Sequence, residues 1–218
     1  MLLENQSYEI TRWEPEVDLR EICDAARTCY KSADLESREA QEQFISHLIN
    51  RGKEHPHLSP IEHSILSVKF VTNIGVTHEL VRHRLIAVNQ ESTRYCNYSK
   101  DRFGHNVKFI IDTSKLDDPQ DYKDWIDDCE SCERRYFKRL AKGCRPDEAR
   151  GVLNKDVVTQ IKITTNYREW RHIFSLRCDD KHAHYQMVEL MTPLLKEVAT
   201  ELPCIFGDIA GPHGYNIL

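Results

Sequence analysis

The residues best suited to chemistry lie in one polar stretch, from Arg82 to Tyr95. Its fourteen positions hold three arginines, a histidine, an asparagine, a glutamine and a serine. Guanidinium groups bind phosphates and planar carbonyl edges through paired hydrogen bonds, which a lysine ammonium cannot do. The chain as a whole is acidic, with 30 basic and 35 acidic side chains. Local positive charge in such a chain indicates a specific anionic ligand rather than a general polyanion surface.

Length and composition predict an ordinary globular protein. At 218 residues the chain can bury a sizeable core, and residues 1–218 are most simply one domain. The sequence shows neither a secretory signal nor an apolar stretch long enough to span a bilayer. The eight cysteines lack the spacing of a zinc ribbon or a small disulfide framework. We therefore expect a cytoplasmic protein with reduced thiols, no membrane partner and no metal site.

Hydrophobic periodicity predicts the elements that must position the polar stretch. Asn73 is suited to cap a helix that carries Arg82, His83 and Arg84 at its C-terminal end. Asn166, three residues before Glu169, is suited to cap another. The stretch from Asn89 to Tyr95 has no apolar period and is predicted to be an ordered loop. Further helices are predicted over 16–30, 37–51, 120–141 and 185–199, and strands over 64–71, 107–111 and 157–164. Helices outnumber strands, which indicates an α+β fold.

Three further clusters accompany the polar stretch: Ser59-Pro-Ile-Glu-His63, Glu148-Ala-Arg-Gly-Val-Leu153, and Asn166-Tyr-Arg168 followed by His172 and Arg177. Together with RHR-LI-A-V-N-QE-S-T-RY at 82–95, they resemble the motifs of the flavin-dependent thymidylate synthases. The matches extend from residue 59 to about residue 190. Ala87 departs from the family pattern, which usually has serine there, and Asn154 stands where proline is usual.

The resemblance implies a fold, a reaction and an assembly. The fold is a helix-rich single domain around a small, mainly antiparallel sheet, and the chain forms a homotetramer with active sites shared between subunits. The reaction is the reductive methylation of dUMP to dTMP. Its carbon donor is 5,10-methylenetetrahydrofolate, and FAD reduced by NADPH supplies the hydride. No nucleic-acid partner is implied.

The resemblance also implies roles for individual residues. Arg177 is the expected catalytic residue, because an arginine there stabilises negative charge that develops on the uracil ring. The expected dUMP contacts are Glu79, Arg82, Gln90, Glu91, Ser92, Thr93, Arg94, Arg150 and Arg177. The expected FAD contacts are His63, Ile65, Arg82, His83, Arg84, Gln90, Asn166, Arg168 and His172.

Two other functions fit parts of the sequence. A nucleic-acid-binding module would use Arg82, Arg84, Arg94 and Tyr95, although the net charge of −5 argues against it. A flavoprotein reductase without methyl transfer would account for Ala87 and Asn154. Separately, Cys129 and Cys132 form a C-x-x-C motif, which is either a redox pair or two thiols on the apolar face of a helix; helical spacing from Trp125 favours the second interpretation.

Overall fold

Helices dominate the structure, a computed structural model that describes residues 1–29, 31, 34–50, 56–179 and 181–211. The chain is 54% helical with a small antiparallel sheet, which confirms the predicted α+β class. The strands are β1 (Leu2–Glu4), β2 (Ser7–Arg12), β3 (Ile65–Asn73), β4 (Ala87–Gln90), β5 (Lys108–Ile110) and β6 (Val158–Asn166). The helices are α1 (Pro15–Thr28), α2 (Arg38–Asn50), α3 (Ile74–Leu80), α4 (Pro119–Ala141), α5 (Pro146–Ala149), α6 (Tyr167–Arg177), α7 (Tyr185–Glu201) and α8 (Pro203–Ala210).

Most predicted elements are present, with shifts of a few residues at their ends. Tyr30 and Arg51, the predicted last residues of the first two helices, lie outside the described residues. Two expectations were wrong. The helix after Asn73 ends at Leu80, so the residues from Arg82 to Arg84 follow it instead of forming its last turn. The predicted loop from Asn89 begins inside β4, whose four residues are all exposed.

Sheet order places β4 at one edge, since the four larger strands are arranged β2-β3-β6-β4. A separate parallel pair joins β1 to β5, with Leu2 opposite Lys108 and Glu4 opposite Ile110. The chain divides into two compact units, and each unit is assembled from three stretches of sequence.

The first unit comprises residues 1–8, 69–82 and 88–162. The apolar face of α4 contributes several side chains to its buried core. The prediction for that helix is confirmed, because Trp125, Cys129 and Tyr136 recur at helical spacing and are all buried. Asp118 caps α4, its carboxylate accepting from the Gln120 and Asp121 amides. The same buried cluster includes Tyr98, Val107, Phe109, Ala149 and Val157.

The second unit comprises residues 9–68, 83–87 and 163–218, of which 30, 32–33, 51–55, 180 and 212–218 are not described. It is mainly helical: α1 packs on α2, and α7 packs on both α6 and α8. Trp170 and Phe174 of α6 stack with ring centroids 5.4 Å apart, and the Trp170 indole N–H donates to the Leu66 carbonyl at 3.0 Å. These contacts fix α6 against the start of β3.

None of the described helices is long and apolar enough to cross a membrane.

Candidate functional site

The first unit positions its polar residues with a strand that runs directly into a helix. Asn73 ends β3 and caps α3, since its side-chain oxygen accepts from the Val76 amide at 2.8 Å. The predicted cap is therefore confirmed. Gly75 lies close beside it, and a Cβ at this residue would be only 3.2 Å from the Asn73 side-chain oxygen. This arrangement fixes the first turn of α3, which carries Ile74 and, one turn later, His78.

A cavity of about 360 Å³ opens beside α3. We call it the anion pocket, because it gathers hydrogen-bond donors around one space. The Gln90 side chain is anchored at its wall, donating to the hydroxyls of Thr77 at 2.9 Å and Thr159 at 3.3 Å. The pocket is lined by Ile74, His78, Gln90, Glu91, Ser92, Thr93, Thr159 and Arg150.

A tight turn presents the hydroxyl groups of the anion pocket. The Ser92 carbonyl accepts from the amides of Tyr95 at 3.0 Å and Cys96 at 2.9 Å. The Ser92 hydroxyl oxygen accepts from the Arg94 amide at 3.3 Å, so its own O–H can be donated to a ligand. The Arg150 guanidinium donates to the Thr93 hydroxyl at 3.0 Å. This contact joins two segments that are 57 residues apart in sequence.

A short helix, α5, positions Arg150. Pro146 occupies the first turn of α5, and the Glu148 carboxylate accepts from the Arg145 amide at 2.9 Å, closing the N-terminus. Pro146 suits this place because its fixed φ matches the first turn of a helix. Arg150 follows immediately after α5, with its side chain exposed.

Five of the predicted dUMP residues therefore line one pocket, namely Gln90, Glu91, Ser92, Thr93 and Arg150. Glu79, Arg82 and Arg94 are described residues of the same unit but do not line it. Arg94 is exposed, with its guanidinium carbon 5.5 Å from the centroid of the Tyr95 ring. Arg177, the predicted catalytic residue, belongs to the second unit.

Sequence reasoning missed Ile74, His78 and Thr159 as lining residues. His78 lies four residues after Ile74 on α3, so helical spacing would have placed both side chains on one face. Thr159 is a buried residue of β6, and only tertiary structure brings it to Gln90.

The second unit uses the same strand-to-helix junction. Asn166 ends β6 and caps α6, its side-chain oxygen accepting from the Glu169 amide at 2.9 Å, which confirms the predicted cap. A cavity of about 790 Å³ opens beside α6, and we call it the basic cleft. Its lining includes Asn166, Arg168 and His172, all predicted FAD contacts. Arg168 pairs with Glu62 at 2.5 Å, and Arg171 forms a bidentate pair with Asp208.

His83 is a buried histidine of the second unit, with 6% of its surface exposed. The Arg177 Nε–H donates to His83 Nε2 at 3.0 Å, while His83 Nδ1 lies 3.4 Å from the Glu169 carboxylate. The His172 ring meets the His83 ring edge-on, with centroids 5.6 Å apart. Burial, and then the positive charges of Arg177 and His172, lower the pKa of His83 to about 4. His83 is consequently neutral near pH 7.

Neutral His83 holds the Arg177 guanidinium in place. Because Nε2 accepts from Arg177, the ring proton is on Nδ1 and faces Glu169. Arg177, which ends α6 and is half-buried, is therefore supported by a buried imidazole. Such support orients a cationic group without neutralising it.

The other predicted FAD residues are more scattered. His63 follows a single 3-10 turn and is exposed, and Ile65 is the half-buried first residue of β3. Arg84 is exposed. Arg82 and Gln90 belong to the first unit.

One group of side chains has the geometry of a metal site. His83, Glu169 and His172 place one ligand atom each within 4.8 Å of one another. The hydrogen bond from Arg177 occupies one nitrogen of His83, however, and the proton on the other nitrogen faces Glu169. This group is thus arranged as a hydrogen-bond network around Arg177.

The two cysteines of the C-x-x-C motif agree with the interpretation as thiols on the apolar face of a helix. Cys129 is fully buried, accepts a hydrogen bond from the Asn154 amide at 3.6 Å, and has its pKa raised to about 12 by burial. Cys132 is half-buried. All eight cysteines are described and all are free thiols.

Comparison with known families gives one broad match. The model of the Thy1 family, described as thymidylate synthase complementing protein, matches residues 13–204. That range includes every residue named in the anion pocket and most of the basic cleft.

Individual relatives agree with this match. A flavin-dependent thymidylate synthase of Mycolicibacterium vanbaalenii is 27% identical over 203 residues, covering 84% of this chain and 76% of the relative. One of Mycobacterium tuberculosis is 28% identical over 204 residues, with the same coverage of both chains. Among solved structures, the UMP/dUMP methylase PolB of Streptomyces cacaoi, bound with 5-Br dUMP, superposes with a TM-score of 0.79. It covers 95% of this chain and 96% of its own, and at 20% identity this likeness shows the fold.

Proposed function

Because this chain belongs to the Thy1 family, the flavin-dependent thymidylate synthases, we propose that it converts dUMP to dTMP by reductive methylation. The carbon donor is 5,10-methylenetetrahydrofolate, and FAD reduced by NADPH is the source of hydride. The observation that carries the proposal is the convergence of Gln90, Ser92, Thr93 and Arg150 on one small pocket.

The anion pocket suits the phosphate of a mononucleotide. Ser92 offers a hydroxyl donor, and Arg150 offers a guanidinium already oriented by Thr93. A guanidinium and a hydroxyl form charge-assisted hydrogen bonds with phosphate oxygens, which are about twice as strong as neutral ones. Arg94, on the same turn, supplies a further exposed positive charge. Glu79 and Arg82 are proposed to contact dUMP in the assembled enzyme.

Arg177 is proposed to act on the uracil ring. Its cationic guanidinium can stabilise negative charge on the ring while the ring carbon attacks the methylene donor. The neutral His83 beside it fixes the direction of the guanidinium. A preorganised donor of this kind lowers the barrier because it need not reorient during the reaction.

The basic cleft suits FAD. It offers the half-buried Asn166 amide, the exposed Arg168 guanidinium and the exposed His172 ring, a set of donors appropriate to a pyrophosphate-bearing ligand. We propose these three residues, with His63, Ile65, Arg82, His83, Arg84 and Gln90, as the residues that hold it. When bound, the flavin supplies the hydride chemistry, and the protein binds and orients.

The proposed assembly is a homotetramer with active sites shared between subunits. Large apolar side chains within the motif support it, because Leu85 and Tyr95 are each 74% exposed in the single chain. Edge strand β4 is likewise exposed at all four residues. The proposed location is the cytoplasm, supported by eight free thiols.

The test is an anaerobic assay of the purified protein. We expect a yellow protein that bleaches with NADPH and forms dTMP only when dUMP and methylenetetrahydrofolate are both present. Flavin reduction without dTMP would select the reductase. Tight binding of random oligonucleotides with steep salt dependence, and no binding of dUMP, would select the nucleic-acid module.

A further inference from the structure

Glu91 is an unexpected residue to find in the anion pocket. It is half-buried and lines the pocket beside Ser92, Thr93 and Arg150. A carboxylate there repels a phosphate, and the repulsion is strong where the two groups are partly shielded from water. Something must hold this negative charge away from the ligand.

The Glu91 side chain also faces a second cavity of the first unit. This second cavity has a volume of about 480 Å³, and Glu91 lines both spaces. Tyr98 lines the second cavity and is not among the described residues that line the anion pocket. The Tyr98 hydroxyl donates to the Glu91 carboxylate at 3.0 Å. The hydrogen bond therefore draws the carboxylate toward the second cavity.

Tyr98 is itself rigidly held. Only 6% of its surface is exposed, and its ring packs against Phe103 and Tyr136 with centroids 5.5 and 5.7 Å away. Its amide donates to the Tyr136 hydroxyl at 3.4 Å. Burial raises the pKa of Tyr98 far above neutrality, so the phenol remains a donor. A fixed, protonated phenol is a suitable anchor for a carboxylate.

The Glu91 backbone cannot turn to compensate. Its amide donates to the Gln160 carbonyl at 2.8 Å, and the turn that follows is closed on the Ser92 carbonyl. The position of the carboxylate, toward one cavity or the other, therefore depends on the conformation of the Glu91 side chain. Burial, and then the negative charge of Glu91, raise the pKa of the nearby Cys96 thiol.

We propose that Tyr98 is a positioning residue that holds the Glu91 carboxylate out of the anion pocket and so lets the pocket accept a nucleotide phosphate. The inference rests on the proposed function, because it takes dUMP as the ligand. It replaces the direct contact between Glu91 and dUMP that the sequence implied. Tyr98 sets the electrostatics of the pocket without touching the substrate.

The test is a double-mutant cycle with dUMP binding measured by titration calorimetry. Tyr98→Phe frees the carboxylate, and we expect affinity for dUMP to fall roughly fivefold or more, the size typical of like-charge repulsion between partly exposed groups. Glu91→Gln removes the charge that Tyr98 is proposed to hold. The double variant Tyr98→Phe/Glu91→Gln should bind like Glu91→Gln alone, because no charge remains to be held. Tyr122→Phe, a tyrosine of α4 that lines neither cavity, is the matched control.

Two further measurements separate positioning from structural damage. The loss in Tyr98→Phe should shrink in high salt, which screens repulsion but does not repair packing. Glu91→Asp, whose shorter side chain cannot reach Tyr98, should weaken binding while leaving the buried tyrosine intact. An equal loss from Tyr98→Phe whether or not Glu91→Gln is also present would overturn the inference. Failure of the unaltered protein to bind dUMP would instead overturn the proposed function, and this inference with it.

Discussion

Arg150 and Arg94 were both expected to bind phosphate, yet their surroundings differ. Arg150 lines the anion pocket and is oriented by the Thr93 hydroxyl at 3.0 Å. Arg94 lies on the outer side of the turn, near the Tyr95 ring. Holding a guanidinium in advance reduces the entropy lost on binding, so Arg150 should contribute more to affinity in the isolated chain.

Arg150→Gln should therefore raise the KM for dUMP by about tenfold or more, since hydrogen bonds to charged groups are worth about 1.5–3 kcal/mol. Arg145→Gln is the matched control: it removes an arginine from the start of the same short helix, where the side chain pairs with Asp147 away from the pocket. Steady-state kinetics with varied dUMP would measure both. Equal KM values for the two variants would contradict the assignment of Arg150.

His83 makes stability depend on pH. Its pKa is about 4 when folded and near 6.5 when unfolded, so between these values the unfolded chain binds more protons. The free energy of unfolding should accordingly fall as the pH drops from 6.5 toward 4. Urea unfolding across this range would measure the effect, and His83→Gln should flatten it.

The control for that experiment is His47→Gln, which removes an exposed histidine of α2. It should leave the pH dependence of the unaltered protein in place. A His83→Gln profile as steep as that of the control would show that other groups cause the acid loss.

At the scale of elements, both site helices start from an asparagine at the end of a strand. Asn73→Ala and Asn166→Ala should each lower the free energy of unfolding by about 1 kcal/mol, the usual cost of losing an N-cap. We expect Asn73→Ala to weaken dUMP binding and Asn166→Ala to reduce flavin retention. Chemical denaturation, calorimetry and the ratio of flavin to protein absorbance would measure these changes.

Aspartate is the control at each cap, because it keeps an acceptor oxygen for the first turn. Asn73→Asp and Asn166→Asp should retain most of the stability. If alanine and aspartate cost the same, capping would not be what these residues contribute.

The sequence identified those caps because Asn73 and Asn166 each follow an alternating strand and precede a helical period. It missed α8, whose run from Pro203 to Ala210 is short and mostly apolar and so lacks a distinct polar face. It also missed β2, where half-buried Tyr8 and Ile10 alternate with exposed neighbours. That signal was present but covers only six residues.

The residues of the site likewise include some that could be predicted from the sequence and some that could not. Residues close together in a motif, such as Gln90 to Thr93, could be grouped from sequence, and the family pattern added Arg150. The hydrogen bond from Tyr98 to Glu91 could not be predicted, since its geometry depends on how Tyr98 packs against Tyr136 and Phe103. Burial decides such contacts, and a single sequence shows burial only as a pattern.

At the scale of the whole molecule, the proposed tetramer predicts that β4 lies in an interface. Val88→Lys places a charge on a strand residue that is 40% exposed in the single chain, and it should dissociate the assembly. Leu116→Lys, at a residue that is 54% exposed and outside the motif, is the control and should leave the mass unchanged. Light scattering after gel filtration would measure the mass. A Val88→Lys protein that stayed tetrameric would remove β4 from the interface.

Edge strand β4 has a practical consequence for producing this protein. In the described part of the chain it pairs on one side only, with β6, and its four side chains are uncovered. Such an edge is a template for unregulated strand addition between newly made chains. Inclusion bodies should therefore form when synthesis is fast, and cooler, slower expression should recover more native material than a change of lysis buffer.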